Sequence, residues 1–330
     1  MAGLTGQRVL VTGAGGFIGS HLCERLVRDG ASVRALLRYT SRREIGLLSL
    51  VDAELRGEME ELFGDLADGD FVRRAASGCD AVLHLGASIS VPYSFEAPRE
   101  VVRTNVEGTL GVLTAAREAG VRRVVQMSSS EVYGSAQYVP MDETHPLGVQ
   151  SPYAASKVGA DKLAESFHMA FGLPVVVARP FNTFGPRQSP RAVIPTIVGQ
   201  ALHRDEVHLG ATTPRRDYVF VADTVDALVR LAASDEHSGR TFNVASGEDV
   251  SIGAIVEMVA EVLGRELTVV SQEERLRPGR SEVERLLGDG RRMRETFGWA
   301  PGVSFADGLR AVIEWMGRPD AQRIPDVYVV

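Results

Sequence analysis

Between residues 8 and 30 the chain leaves an apolar run, Arg8-Val9-Leu10-Val11, and passes through Gly13-Ala14-Gly15-Gly16-Phe17-Ile18-Gly19. It then enters a stretch that sets Ile18, Leu22 and Leu26 on one helical face and stops at Gly30. A strand, a glycine turn and a helix in that order leave few folds open. The glycines let the backbone turn tightly and approach a ligand closely. The helix N-terminus beyond them offers unpaired N–H groups and a positive dipole end, a combination suited to a dinucleotide pyrophosphate. The spacing is G-x-x-G-x-x-G, not the commoner G-x-G-x-x-G.

Strand-like runs recur at Val33 to Leu37, Glu61 to Phe63, Ala81 to Leu85, Arg123 to Met127 and Leu173 to Ala178, with helical segments between them. The alternation predicts an α/β protein: a Rossmann-like, doubly wound parallel sheet with helices on both faces. After Arg179 the pattern loosens. Short strands at Val207 to Leu209 and Tyr218 to Val221 interleave with helices such as Thr224 to Ala233. A further helix, Ser251 to Leu263, opens on Ser251 as N-cap and closes at Gly264. We expect residues 1–178 to form an NAD(P)-binding domain, with returning segments around 212–248. Residues 179–330 are expected to form mainly a smaller, discontinuous substrate-binding lobe. Gln272 to Ser281, rich in arginine and carrying Pro278-Gly279, reads as a surface loop.

Composition narrows the partners. With 330 residues, 44% hydrophobic and 24% charged, the chain can bury a large core. No apolar run approaches the length of a membrane span. The first strand begins too early to leave room for a cleaved signal peptide, so the expected location is cytoplasmic. Cys23 and Cys79 lack metal-ligand spacing and are read as reduced, buried thiols. A net charge of −7, with no basic run, argues against nucleic acid. An anionic ligand must then be held by local arginines. After the second predicted strand, residues 36–43 hold no acid for a ribose 2′-hydroxyl. Arg38 is instead placed to meet a 2′-phosphate, with Thr40, Ser41 and Arg42 as further donors. NADP is therefore favoured, with NAD as the alternative.

Ser151-Pro152-Tyr153-Ala154-Ala155-Ser156-Lys157 opens a helix on a serine N-cap with proline at its first position. Tyr153 and Lys157, four apart, share one face. A lysine beside a tyrosine should favour the phenolate and make it usable as a base. Ser128-Ser129-Ser130-Glu131-Val132-Tyr133-Gly134 follows the fifth strand directly, at the carboxyl edge where α/β sheets bind ligands.

The glycine loop, this serine-rich segment and the Tyr-x-x-x-Lys pair together resemble the extended short-chain dehydrogenase/reductases, the NAD-dependent epimerase/dehydratase family. Further similar motifs are Gly64-Asp65-Leu66, His84-Leu85-Gly86-Ala87, Thr104-Asn105-Val106, Arg179-Pro180-Phe181-Asn182, Gly185-Pro186 and Arg216-Asp217-Tyr218-Val219. Gly86 departs from the alanine usual in that family. The resemblance implies that Gly13, Gly16, Phe17, Ile18 and Gly19 cradle the cofactor and that Asp65 and Leu66 meet its adenine. Leu85, Gly86, Ala87, Asn105 and Lys157 would hold the rest of it. Ser129 would hydrogen-bond the reacting sugar hydroxyl and Tyr153 would remove its proton. Asn182, Arg216 and Arg277 would hold a substrate diphosphate, with Ser90, Arg191 and Val193 lining the substrate pocket and Arg187 a weaker candidate. Two protomers would pair helices into a four-helix bundle.

Every member of this family can begin by moving a hydride from sugar C4 to the cofactor. Glu131 separates the outcomes, because 4,6-dehydratases carry a carboxylate here as the C5 base while simple 4-epimerases carry a small or apolar residue. The Ser130-Glu131 pair resembles the GDP-mannose and legionaminic-pathway (LegB-like) dehydratases, and Ser130 joins the catalytic set. The pair also occurs in UDP-glucuronate decarboxylases. Ser90 to Ser94, Gln150 to Tyr153 and Arg187 to Pro195 are similar to the legionaminic type. The resulting expectation is a nucleotide-sugar 4,6-dehydratase acting on UDP-GlcNAc or a related hexose. A 4-epimerase, a 5,6-dehydratase and a decarboxylase are the alternatives. A non-enzymatic NADP-binding regulator would usually have lost the Tyr-Lys pair, which is intact here.

Overall fold

The computed structural model describes residues 3–272 and 281–318. Among the described residues, thirteen strands run in chain order: β1 Arg8–Thr12, β2 Ser32–Arg38, β3 Met59–Gly64, β4 Ala81–His84, β5 Arg123–Met127, β6 Val175–Pro180, β7 Asn182–Phe184, β8 Glu206–Leu209, β9 Arg215–Phe220, β10 Thr241–Val244, β11 Asp249–Ser251, β12 Thr268–Ser271 and β13 Arg285–Leu286. The helices are α1 Phe17–Arg28, α2 Ala53–Gly57, α3 Gly69–Ala76, α4 Val91–Glu96, α5 Pro98–Val102, α6 Gly108–Glu118, α7 Pro152–Phe171, α8 Val193–His203, α9 Val221–Ala233, α10 Ile252–Leu263, α11 Arg291–Phe297 and α12 Phe305–Met316.

Seven parallel strands make the central sheet in the order β10-β6-β5-β4-β1-β2-β3. Both faces are covered, so strand residues of either parity are apolar. On one face Val9, Val11, Leu83 and Val125 pack with Leu22 and Leu26 of α1 and Val225 and Leu228 of α9. On the other, Leu10, Val82, Val124 and Val177 pack with Val72 of α3, Val112 of α6 and Ala164 of α7. The strand order reverses direction between β1 and β4. Loops leaving those two carboxyl ends part there and open a crevice.

The second lobe holds β9 between β11 and β13, with β7 also on β9, and a β8-β12 pair beside them. Helices α8, α10 and α12 cover it around Ile197, Ile255 and Val312. The chain leaves the central sheet after β6 and comes back to its edge as β10, where Thr241 is level with Val177. Val221, expected to end the strand that begins at Tyr218, instead opens α9, whose first turn carries Asp223. An acid there complements the positive end of the helix dipole, which outweighs the local strand preference of valine. Ser251 caps α10 through a bond from the Ala254 N–H, and Gly264 closes that helix at φ 62°. Most of the expected arginine-rich loop, residues 273–280, lies outside the described residues.

Candidate active site

A cleft of about 840 Å³ runs along the carboxyl ends of β1 to β4. The glycines of the first turn make its floor. Gly13 has φ 70°, and a Cβ there would sit 2.8 Å from the Gly86 amide nitrogen; one on Gly19 would lie 2.1 Å from the Gly13 carbonyl oxygen. Only glycine permits these approaches. No side chain caps α1, so its first-turn N–H groups face the cleft without a competing acceptor. A pyrophosphate fits this cradle.

Gly13, Gly16, Phe17, Ile18 and Gly19 all line the cleft, as do Arg38, Asp65, Leu66, Leu85, Gly86 and Ala87. Ser41 is exposed and does not line it. Asn105 is buried in a wide π turn, Arg103–Glu107. Its amide donates to the Ser88 carbonyl at 3.0 Å and to Ser156 Oγ at 2.8 Å, and its oxygen accepts the Ser88 N–H at 2.7 Å. Asn105 therefore clamps the loop after β4. Sequence reasoning missed Glu44, Ile45 and Gly46, which also line the cleft. The Leu47 N–H bonds the Gly15 carbonyl at 2.9 Å, and a Cβ on Gly15 would lie 2.9 Å from the Ile45 carbonyl oxygen. The fourth glycine of the turn was the available signal that a second segment presses on it. That segment adds Glu44 to the residues lining the cleft with Arg38.

At the deep end β5 stops at Met127, and Ser129 caps a 3₁₀ turn, Ser130–Tyr133, by accepting the Glu131 N–H at 3.2 Å. Ser129 and the Glu131 carboxylate both lie close enough to the Tyr153 phenol to act on its ionisation. Ser130 is buried and Glu131 half-buried. Helix α7 is opened by Ser151, whose Oγ accepts the Ala154 N–H at 3.1 Å. It aims both Tyr153 and Lys157 inward. Lys157 Nζ donates to the Met127 carbonyl at 2.5 Å.

The expected ease of ionising the phenol is not what this arrangement gives. Burial pushes Tyr153 up to about 12, the neighbouring Ser129 works against that, and the Glu131 charge adds to it. Burial also brings Lys157 down to about 8, offset by attraction to Asp161. Asp161, one turn further along α7, accepts Ser128 Oγ at 2.7 Å and Arg179 Nη2 at 2.9 Å. Arg179 in turn lies over the Tyr133 ring at 4.7 Å.

In the second lobe Asn182 opens β7, level with Tyr218 of β9, and buried Arg216 lies two residues before that tyrosine. Arg216 Nη2 pairs with Glu282 at 3.1 Å. Val193 is half-buried at the start of α8 and Arg191 is exposed just before it. Ser90 spends its hydroxyl as N-cap of α4, accepting the Tyr93 N–H at 3.2 Å. Arg187 binds Glu24 of α1 at 2.7 Å and holds φ 68°, so it ties the lobe to the cofactor helix. Arg277 lies outside the described residues. Among the described residues no cluster of three or more metal-ligating side chains occurs, and no helix is long and apolar enough to cross a membrane.

The family model described as GDP-mannose 4,6 dehydratase matches residues 10–312. A UDP-glucose 4-epimerase of Mycolicibacterium smegmatis is 36% identical over 94% of this chain and 98% of its own length. A dTDP-glucose 4,6-dehydratase of Streptomyces griseus is 35% identical over 93% of each chain. The solved dTDP-glucose 4,6-dehydratase DesIV of Streptomyces venezuelae, with NAD bound, superposes with a TM-score of 0.84 at 32% identity, covering 94% of this chain and 96% of DesIV.

Proposed function

Because this chain belongs to the GDP-mannose 4,6-dehydratase family of NAD-dependent epimerase/dehydratases, we propose that it is a nucleotide-sugar 4,6-dehydratase. The observation that carries this reading is the meeting of three groups at the end of β5: the Tyr153 phenol, with Ser129 and the Glu131 carboxylate near enough to act on its ionisation. Held by the glycine turn and the loop after β4, a nicotinamide cofactor would supply a hydride acceptor for C4 and the source of the same hydride for C6 once water has left. Tyr153 takes the C4 hydroxyl proton while Ser129 holds the oxygen. A C4 ketone acidifies the C5 proton. Glu131 removes it and passes it to the C6 hydroxyl as water leaves; when hydride reaches C6, C5 takes a new proton from solvent. Ser130 supports the turn that presents Glu131. Arg216 and Asn182 hold the diphosphate, with Arg191 and Val193 at the nucleoside end.

UDP-GlcNAc or a related hexose is the proposed sugar, on the resemblance of Ser90 to Ser94 and Arg187 to Pro195 to the legionaminic type. NADP is the proposed cofactor, because Arg38 lines the cleft. Glu44 in the same cleft favours NAD as the second reading. A homodimer is proposed through α6 and α7, where Leu110, Met169 and Phe171 are exposed. A 4-epimerase remains the second reading of the activity, favoured by the mycobacterial relative.

The test incubates purified protein with a panel of nucleotide sugars in deuterated water. The expected product has lost water and gained one deuterium at C5, and Glu131→Gln should accumulate reduced cofactor and 4-keto sugar. A product of unchanged mass, inverted at C4 and unlabelled at C5, replaces this reading with the epimerase. Loss of CO₂ from a uronic acid replaces it with the decarboxylase.

A further inference from the structure

Thr12 and His84 are level on neighbouring strands β1 and β4, so their side chains share one face of the sheet. Thr12 Oγ1 lies 2.7 Å from His84 Nδ1 and accepts the Gly86 N–H at 3.0 Å. His84 Nε2 lies 3.0 Å from Thr109 Oγ1, which donates to the Asn105 carbonyl at 2.6 Å. All four side chains are buried. The proton positions follow from the ends inward. Asn105 O can only accept, so the Thr109 hydrogen is spent there and its oxygen takes a hydrogen from His84 Nε2. His84 Nδ1 then accepts the Thr12 hydrogen, because Thr12 already receives the Gly86 N–H. The circuit closes through the Asn105 side chain, which clamps the Ser88 N–H and carbonyl. One ring of hydrogen bonds thus pins both ends of the loop Gly86-Ala87-Ser88.

We propose that His84 is a positioning residue for the cofactor: a neutral imidazole with its proton on Nε2, it fixes the loop 86–88 against the first glycine turn. The proposal rests on the reading that a dinucleotide occupies this cleft. The loop packs directly on the first glycine turn: a Cβ on Gly13 would lie 2.8 Å from the Gly86 nitrogen. A second proton on His84 would leave the Thr12 hydroxyl hydrogen without an acceptor and set a cation near buried Lys157. Burial and that lysine together hold the imidazole pKa down to about 3.

The test has two arms. In protein labelled with ¹⁵N-histidine and free of cofactor, the His84 signal, identified by its loss in His84→Phe, should show the Nε2–H tautomer unchanged from about pH 5.5 to 8.5. An Nδ1–H tautomer, or titration in that range, overturns the proposal. Thr109→Val keeps the side-chain shape and breaks the ring should His84→Phe not fold. It should weaken NADH and NADPH about tenfold while leaving ADP-ribose, which lacks nicotinamide, and UDP within about twofold. Equal weakening of all four ligands, or of none, overturns it. Wild-type protein that binds no dinucleotide, with the Nε2–H tautomer intact, overturns the cofactor reading and takes the positioning role with it.

Discussion

Asp161 sits between two buried cations, Lys157 one turn earlier on α7 and Arg179 on β6, with Ser128 as a further donor. The side chains of Asp161 and Arg179 are 1% and 5% exposed, so solvent screens the pair little. Asp161→Asn removes the charge and keeps the shape. It leaves two cations in low dielectric, and breaking a buried pair this way costs about 3–5 kcal/mol. That is about a fifth or more of a typical stability of roughly 5–15 kcal/mol. The lysine also loses the attraction that opposes its desolvation, so its pKa should fall below its present value of about 8. Urea unfolding of the cofactor-free protein reads the first effect. Arg179→Met, alone and combined with Asp161→Asn, separates charge from packing: the double variant should recover at least about 1 kcal/mol over additivity, because one uncompensated cation has gone. A loss below about 1 kcal/mol for Asp161→Asn, or additivity within about 0.5 kcal/mol, would refute the electrostatic account.

Tyr153→Phe should lower turnover about 10²–10⁴-fold while calorimetry finds UDP-sugar binding intact, since the phenol acts on a proton; near-normal activity removes Tyr153 from the mechanism. Arg38→Asp should reverse a preference for NADPH over NADH in direct titrations; a wild type that prefers NADH, with a variant that merely binds nothing, removes the 2′-phosphate role. Asp217 accepts the Gly247 and Gly288 N–H groups on Oδ2 at 3.0 and 3.1 Å, so Asp217→Asn can set an NH₂ against two donors and should cost about 1–3 kcal/mol. Burial raises this carboxyl from 3.8 to about 6. Its folded value is above its unfolded one, so its contribution is full below 3.8 and declines as pH rises to about 6; the asparagine variant should lack that slope in pH-dependent unfolding.

The central strands were legible because both faces of β1, β4 and β5 are buried and their apolar runs are continuous. The glycine turn and the Tyr153–Lys157 helix were legible because each is a local device, fixed by a cap or a close approach within a few residues. What escaped depends on contacts between distant segments. Glu44 belongs to the cleft only because residues 45–47 fold against Gly15. Arg187, one of several candidate phosphate ligands in the sequence, is engaged by Glu24, more than a hundred residues away. The ionisation of Tyr153 was misjudged for the same reason: helical spacing showed the lysine, while the burial and the neighbouring Glu131 that oppose ionisation are set by packing.

During synthesis β6 leaves the ribosome long before its edge partner β10, with the whole of β7 to α9 made in between. Until then β6 presents an open row of N–H and carbonyl groups, the template on which chains aggregate. Helix α9, which covers one face of the sheet, is equally late. The second lobe is thus interposed in the birth of the central sheet, and an amber stop after Phe181, which leaves β6 whole, should yield inclusion bodies, not a free-standing module.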